Sequence, residues 1–552
     1  MKRKKILLIV LAIILLVFFL VNPIVGNRIQ SFVNERIEEI NSKNKYEIAV
    51  ESVDFNLFKR SISLQSITVK PSDSLFSKFK QNNSDESVLK ELSVTEIDIS
   101  GVRMFDLLVN KKLNIGNIII EASHLNIYRP QKEFKVKGID RKKSSSFSLD
   151  SIRIKGLYGL KINDIEIDNY GVHVINISTQ DTLAAYLGKT FQIEGVHLEE
   201  FNSKDNLLVL NNESLEVNLS QQSYDLSGGI YRLSYDDFKY SYKEQSISAS
   251  GIKLTPKDGL TASALKYQYS TDVFDAKIAS AAFGSFDLSS ALSHGVIAVD
   301  NIVIDSLELS IFKNKTKPWN TDKRPLLPNQ LIKNLNQPLH INKVSVLNSD
   351  LYYSEQLENT EEKVNVNLNQ INIDINYITS LNDSTSTSNP LEVDVSARLL
   401  DILPVKSKIV MPYDSPNNMF YFSGNSRGTT PFVNLNPITF PALGMKFSKG
   451  HLTGMSFNVS GSPNASKGEM TMTFKDLEVD IFKKDLTENK TVSWLANTVV
   501  KSSNPNNRGT LKVAEINFDR VMYKGFGNYL WKSIESGIVN SVIPFGKRHK
   551  KK

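Results

Sequence analysis

The sequence predicts a mainly β protein: an N-terminal transmembrane helix followed by an elongated, curved, repetitive β-sheet groove with few short helices. Three observations carry this. An apolar run opens the chain at residues 6–25. From Tyr46 onward apolar and polar residues alternate with a period of two, the mark of strands with one apolar face. One segment then returns about 180 residues later, as expected of a sheet built from similar units.

The opening run is long enough to cross a bilayer. Its apolar surface is carried by Ile6, Leu7, Leu8, Phe18, Phe19 and Leu20, and only Asn22 and Pro23 interrupt it near the end. Lys2, Arg3, Lys4 and Lys5 precede it and place the N-terminus in the cytoplasm by the positive-inside rule. No small-residue cleavage site follows, so residues 1–26 read as a cytoplasmic tip and retained anchor rather than a removed signal. Residues 27–45 read as an amphipathic juxtamembrane helix, with Ile29, Phe32, Val33, Ile37 and Ile40 on one stripe. Its position suits a cap on the first sheet.

Residues 46–330 form the N-terminal repetitive β region. Ile48 and Val50, Val53, Phe55 and Leu57, Ile62 and Leu64, then Ile67 and Val69 begin the alternation. The repeat starts at Phe105-Asp106-Leu107 and runs through Leu113, Ile115, Ile118 and Ile120 to Tyr128. Its echo starts at Phe286-Asp287-Leu288 and runs through Ile297, Ile302, Ile304, Leu309 and Ile311 to Phe312. The offset is 181 at the triplet and 184 afterwards. A weaker third copy runs Leu339, Ile341, Val344, Val346, Leu351, Tyr352. The scarcity of helical stretches argues against βαβ units and an enzyme-type parallel sheet. Residues 331–515 read as a C-terminal β module. Residues 516–552 read as an amphipathic cap over Phe526, Tyr529, Leu530, Ile534, Ile538, Val539, Val542 and Ile543, weakened by Gly525, Gly527 and Gly537, then a basic tail.

Charge and chemistry narrow the function. There are 66 Lys and Arg against 59 Asp and Glu, but the four basic residues at 2–5 and five at 547–552 leave the body with 57 against 59. Such a body lacks the basic excess that phosphate binding needs, so no nucleic-acid partner is expected. With no Cys there is no disulfide, thiolate nucleophile or zinc knuckle. His197-Leu198-Glu199-Glu200 and the lone His124, His173, His294, His340 and His451 show no metal-ligand spacing. Neither a metal nor a cofactor is expected. Gly424-Asn425-Ser426-Arg427-Gly428 fits G-x-S-x-G, but a nucleophile elbow needs a helix behind the serine. Pro431 and Pro437 oppose one. No catalytic residue is assigned.

The anchor and "YEIAVESVDFNLFKRSISLQSITVKP", the repeat "MFDLLVNKKLNIGNIIIEASHLNIYRP" with its echo, and "NLNPITFPALGMKFSKGHLTGMSFNVSGSPNASKGEMTMTFKDLEVDIF" at Asn434–Phe482 together resemble the AsmA-like family of envelope proteins, relatives of TamB and YhdP. The resemblance implies a single-pass protein of the bacterial inner membrane with its body in the periplasm. It also implies an apolar β-groove that takes phospholipid acyl chains and serves lipid transport or outer-membrane homeostasis. The expected partners are membrane lipids, the inner membrane and other envelope proteins. Lining is expected from Ile115, Ile118, Ile120, Ile302, Ile304, Leu309 and Ile311. The alternative is a structural or assembly factor of the envelope acting through protein contacts.

Overall fold

A computed structural model describes residues 37–38, 41, 45–56, 60–81, 86, 88–129, 151–153, 157–202, 207–210, 214–226, 228–286, 291, 295–358, 363–381, 389–481 and 498–542. Strand makes up 63% of them, so the mainly β expectation holds. The expected anchor at 1–26 and the basic tail lie outside the described residues. No described helix is long and apolar enough to cross a membrane. The expected juxtamembrane helix at 27–45 is described at residues 37, 38 and 41, which are helical, and at Lys45, which is not. Ile37 is buried there in the first core. Asn41 exchanges two hydrogen bonds of 2.8 Å with the backbone of Ile48.

The chain divides into two compact units, 1–244 and 245–552. The boundary read at 330/331 falls inside a helix of the second.

In the first unit β1 (Tyr46–Ala49) and β2 (Ser52–Asn56) both pair with β3 (Ser61–Pro71). Next come β4 (Leu89–Ser100) and β5 (Lys112–Arg129), then β7 (Gly159–Asn176) and β8 (Thr182–Asn202), then β10 (Glu216–Asp225) and β11 (Tyr231–Ser241). Two short strands, β6 (Ser151–Arg153) and β9 (Leu207–Leu210), extend from β8. Pairings are antiparallel except β5 with β7. Helix α1 (Asp73–Lys80) starts at Ser72, whose hydroxyl accepts from the Leu75 amide and so satisfies one of the free first-turn donors. It lays Leu75 and Phe79 over Leu89, Tyr128 and Ile177. Helix α2 (Met104–Asn110) places Leu107 in the main core beside Ile62, Ile97 and Ile115.

The second unit runs in chain order: β12 (Ser246–Pro256), β13 (Asp272–Gly284), β14 (Ile297–Asn314), β15 (Leu339–Gln356), β16 (Lys363–Thr379), β17 (Leu391–Leu399), β18 (Leu403–Met411), β19 (Phe420–Pro431), β20 (Met445–Gly461) and β21 (Ala465–Ile481). Strands β22 (Thr498–Asn504) and β23 (Val513–Asp519) share the far side of β21. Here too one pair, β14 with β15, is parallel. Helices α3 (Gly259–Lys266), α4 (Pro328–Lys333), α5 (Asn436–Leu443) and α6 (Phe526–Val542) complete it.

The parallel pairs explain the repeat. Leu113, Ile115, Ile118 and Ile120 stand in register with Leu160, Ile162, Ile165 and Ile167. In the second unit Ile302, Ile304, Leu309 and Ile311 stand beside Val344, Val346, Leu351 and Tyr353. The weak third copy is therefore the parallel neighbour of the second. Parallel strands in register set like residues side by side, so both need the same pattern. Each unit thus carries hairpin, crossover, hairpin, and in the second unit the crossover from β14 to β15 holds the six-residue α4 rather than the long helix that usually makes such a connection.

The C-terminal cap forms as α6, with Ser533, Gly537 and Ser541 buried one turn apart below Tyr529. The sequence marked Gly537 as a weak point, and the packing corrects this. A Cβ there would stand 2.8 Å from Ile516 Cγ1 and 3.0 Å from Met470 Cε, so glycine lets the helix settle on β21 and β23. Ser533 Oγ meets Ser466 Oγ at 2.7 Å, and Tyr529 Oη donates to the Ser462 carbonyl at 3.0 Å.

Candidate apolar binding face

A regular strand turns alternate residues to opposite faces. In β3 the buried aliphatic side chains are Ile62 and Leu64, then Ile67 and Val69, with Pro71 closing the strand. The spacing of three should send the second pair to the other face, yet all four lie in one core cluster. Ser66, between the pairs, has φ of 51°. A left-handed residue breaks the pleat, and the apolar side resumes where it left off. The same device recurs at Ala122 (φ 47°) in β5, Asn169 (49°) in β7 and Gln221 (48°) in β10. In the second unit it recurs at Ser306 (55°), Asn348 (50°) and Gln370 (52°). Ala122 aligns with Asn169, and Ser306 with Asn348, across the two parallel pairs. Within each unit the slips therefore form a row crossing the strands.

The result is one apolar side along each long strand. In the first unit it carries Ile165, Ile167, Val172 and Val174 of β7, Phe191 and Ile193 of β8, and Val217 and Leu219 of β10. Ring contacts fix the sidedness. Tyr170, on one side of the slip row, meets Phe191, on the other, at 6.4 Å between centroids, and Tyr235 meets Phe238 at 6.2 Å. These residues are half-buried, and among the described residues no helix packs extensively on β7, β8, β10 or β11.

A tyrosine platform lies in this face. Tyr170, Tyr186, Tyr224 and Tyr235 run across four strands with centroids 5.6, 4.4 and 6.1 Å apart. Tyr170 and Tyr186 both donate to Gln222 Oε1, at 2.8 and 2.7 Å. Gln222, 1% exposed, returns its amide to the carbonyls of Thr190 and Ser220. The ring of Tyr170 and the Gln222 amide fill the space above Gly188, where a Cβ would meet each at 2.4 Å. Burial pushes the Tyr170, Tyr186 and Tyr235 phenols above their ordinary range. They stay protonated at neutral pH, so the platform offers flat apolar area and satisfied hydroxyls rather than a base.

In the second unit Val299, Ile302, Ile341, Val344 and Val346 form a buried cluster flanked by Ile304, Leu307 and Ile373. Leu309 and Ile311 continue it half-buried, and Phe274 beside Ile311 is 38% exposed.

The seven expected lining residues thus divide by environment. Ile115 and Ile118 sit inside the first core under Leu107, and Ile302 is buried in the second unit's cluster. Ile120, Ile304, Leu309 and Ile311 are half-buried on the apolar side. The tyrosine platform had no signal in the sequence beyond the spacing of the tyrosines themselves.

The opposite side is polar and laced across strands: Thr190 to Asp168 at 2.7 Å, Gln192 to Asp164 at 3.1 Å, Lys277 to Glu308 at 3.1 Å and Ser345 to Asp374 at 2.6 Å. Desolvation, with Asp168 and Asp164 alongside, holds Glu166 above the usual carboxylate range. Among the described residues no group of His, Asp and Glu is arranged to hold a metal ion. Ser426 lies within β19, not at a strand–helix elbow, and its buried hydroxyl has no hydrogen-bond partner among the described residues. Compared with known protein families and with curated proteins, the chain matches none.

Proposed function

We propose that the apolar sheet faces bind lipid acyl chains, as part of phospholipid transport or envelope maintenance by a membrane-anchored periplasmic protein. The observation that carries this reading is the half-buried side of β7, β8 and β10, kept continuous by the left-handed slips. An exposed apolar stretch of that kind is costly in water and marks a binding surface. Each CH₂ laid against it gains about 0.8 kcal/mol. A methylene chain needs no directional partner, and the face offers none, since its tyrosine hydroxyls are already paired. The polar side leaves headgroups and water to the other surface.

The test is mass spectrometry of lipids that copurify with the detergent-extracted chain. Diacyl lipids are expected, and Val174→Asp or Ile311→Asp should lower their amount while circular dichroism stays that of a β protein. Purification free of lipid, with no uptake of a fluorescent acyl probe, overturns the proposal and leaves the assembly-factor alternative.

A further inference from the structure

A second surface, separate from the sheet faces, stands out at helix α2. Phe105 and Val109 are one helical turn apart and share a face. They are the two most exposed large apolar side chains among the described residues, at 72% and 61%. The helix is held from its other side. Leu107 is buried in the core. The Asp106 carboxylate accepts from Asn114 Nδ2 at 2.7 Å and Asn110 Nδ2 at 3.3 Å. The Arg103 amide donates to the Asn114 carbonyl at 3.0 Å, and that of Val102 to the Arg60 carbonyl at 3.4 Å. The exposed pair is thus presented by a braced element.

Basic residues surround it. Arg103 precedes the helix, Lys111 and Lys112 follow it, and Arg60 is brought beside it by the Val102 contact; all four are exposed. The helix's one acid, Asp106, is turned to the two asparagines. Two apolar side chains are too few for a stable protein interface, which buries on the order of 800 Å² per partner. They suit shallow insertion between lipid headgroups, with the cations drawn to anionic lipid.

We propose that α2 is a membrane-surface contact: Phe105 and Val109 enter the interface of an anionic bilayer while Arg60, Arg103, Lys111 and Lys112 sit over its headgroups. This does not depend on acyl chains binding the sheet.

The absence of native cysteine allows a clean test on the full chain. Phe105→Cys, Val109→Cys and, as a control on β23, Val513→Cys (50% exposed) are each labelled with an environment-sensitive fluorophore. The protein is reconstituted in phosphatidylcholine vesicles with or without phosphatidylglycerol, some carrying nitroxide-labelled acyl chains. Labels at 105 and 109 should shift to shorter wavelength and be quenched by the nitroxide in anionic vesicles, and the label at 513 should not. Arg103→Glu with Lys111→Glu should reduce the inserted fraction, about fivefold for each charge removed. Labels at 105 and 109 that behave like the one at 513, or quenching indifferent to both lipid charge and the reversals, overturn the proposal.

Discussion

Gly527 and Gly537 belong to the same helix and should respond oppositely to alanine. Nothing lies within 4 Å of a Cβ added at Gly527. There the substitution only removes unfolded-state freedom and adds helix propensity, a gain of up to about 1 kcal/mol. At Gly537 the methyl would press on Ile516 Cγ1 at 2.8 Å and on the Met470 thioether, whose carbon and sulfur stand at 3.0 and 3.1 Å. Overpacking of this kind costs about 1–3 kcal/mol. Both neighbours are side-chain ends that give a little, and the same propensity gain offsets part of the cost. Gly537→Ala should therefore come out roughly 1–3 kcal/mol less stable than Gly527→Ala. A chain of two units has no single unfolding temperature, so the comparison belongs to hydrogen exchange on peptides covering Phe526–Val542, which reports local opening. Gly537→Ala should exchange faster than wild type and Gly527→Ala no faster. If both slow exchange alike, α6 does not rest on β21 and β23 as described.

Ser306→Gly should stabilise the second unit by about 1 kcal/mol, since glycine relieves a left-handed backbone, and Ser306→Val should do the reverse in the same urea titration. Ser426→Ala removes a buried hydroxyl without a partner, so stability should hold or rise by about 1 kcal/mol and lipid retention should not change; loss of lipid on this change alone would point to a role for the hydroxyl. The Tyr170 and Tyr186 phenols are raised from 10.0, so their contribution is complete below about pH 10 and is lost as pH climbs through the higher folded values. Absorbance at alkaline pH should show a late-ionising tyrosine fraction that ionises together with loss of near-ultraviolet dichroism, and ordinary titration of every tyrosine would refute the platform. If, as proposed, Lys2–Lys5 ahead of the apolar run keep the body outside the cytoplasm, protease added to spheroplasts should remove a C-terminal tag; full protection of the tag overturns that topology.

Much of the fold was readable because period two survives any tertiary arrangement. The strands at Ile62–Val69, Ile297–Phe312 and Val364–Ile375 follow it on either side of their slips, and α6 follows its own stripe. Three things were not readable for physical reasons. Parallel pairing leaves no local trace, because a strand's pattern is the same whichever way its neighbour runs. The hint was that the supposed third copy lay one crossover beyond the second. Asn169 and Asn348 are of a type that favours left-handed backbone, but the other five slips use Ser66, Ala122, Gln221, Ser306 and Gln370, residues with no such preference, so composition does not announce the row. The spacing of three from Leu64 to Ile67 and from Ile304 to Leu307 was their signal, and it reads equally well as a gap between strands. The burial of Ile115 and Ile118, as against the half-buried Ile120, goes with helix α2 and its Leu107 in the same core, which period-two reasoning does not place.

The row of slips also constrains how such a chain can change over generations. Losing the single residue Asn169 would leave Val172 and Val174 on the apolar side, since Ile167 and Tyr170 would then stand two apart, but would set them one place out of register with both neighbouring strands. The neighbours β5, with its own break at Ala122, and β8 would keep their lengths, so every cross-strand partner beyond that point would be mismatched. Repair would require matching losses in several strands at once. Changes of length should therefore gather at hairpin tips and crossovers, and the three residues by which the second copy exceeds the first lie there, ahead of β14 rather than within it. Among homologues, the distance from each slip to the next apolar pair should hold more firmly than the identity of any residue in it.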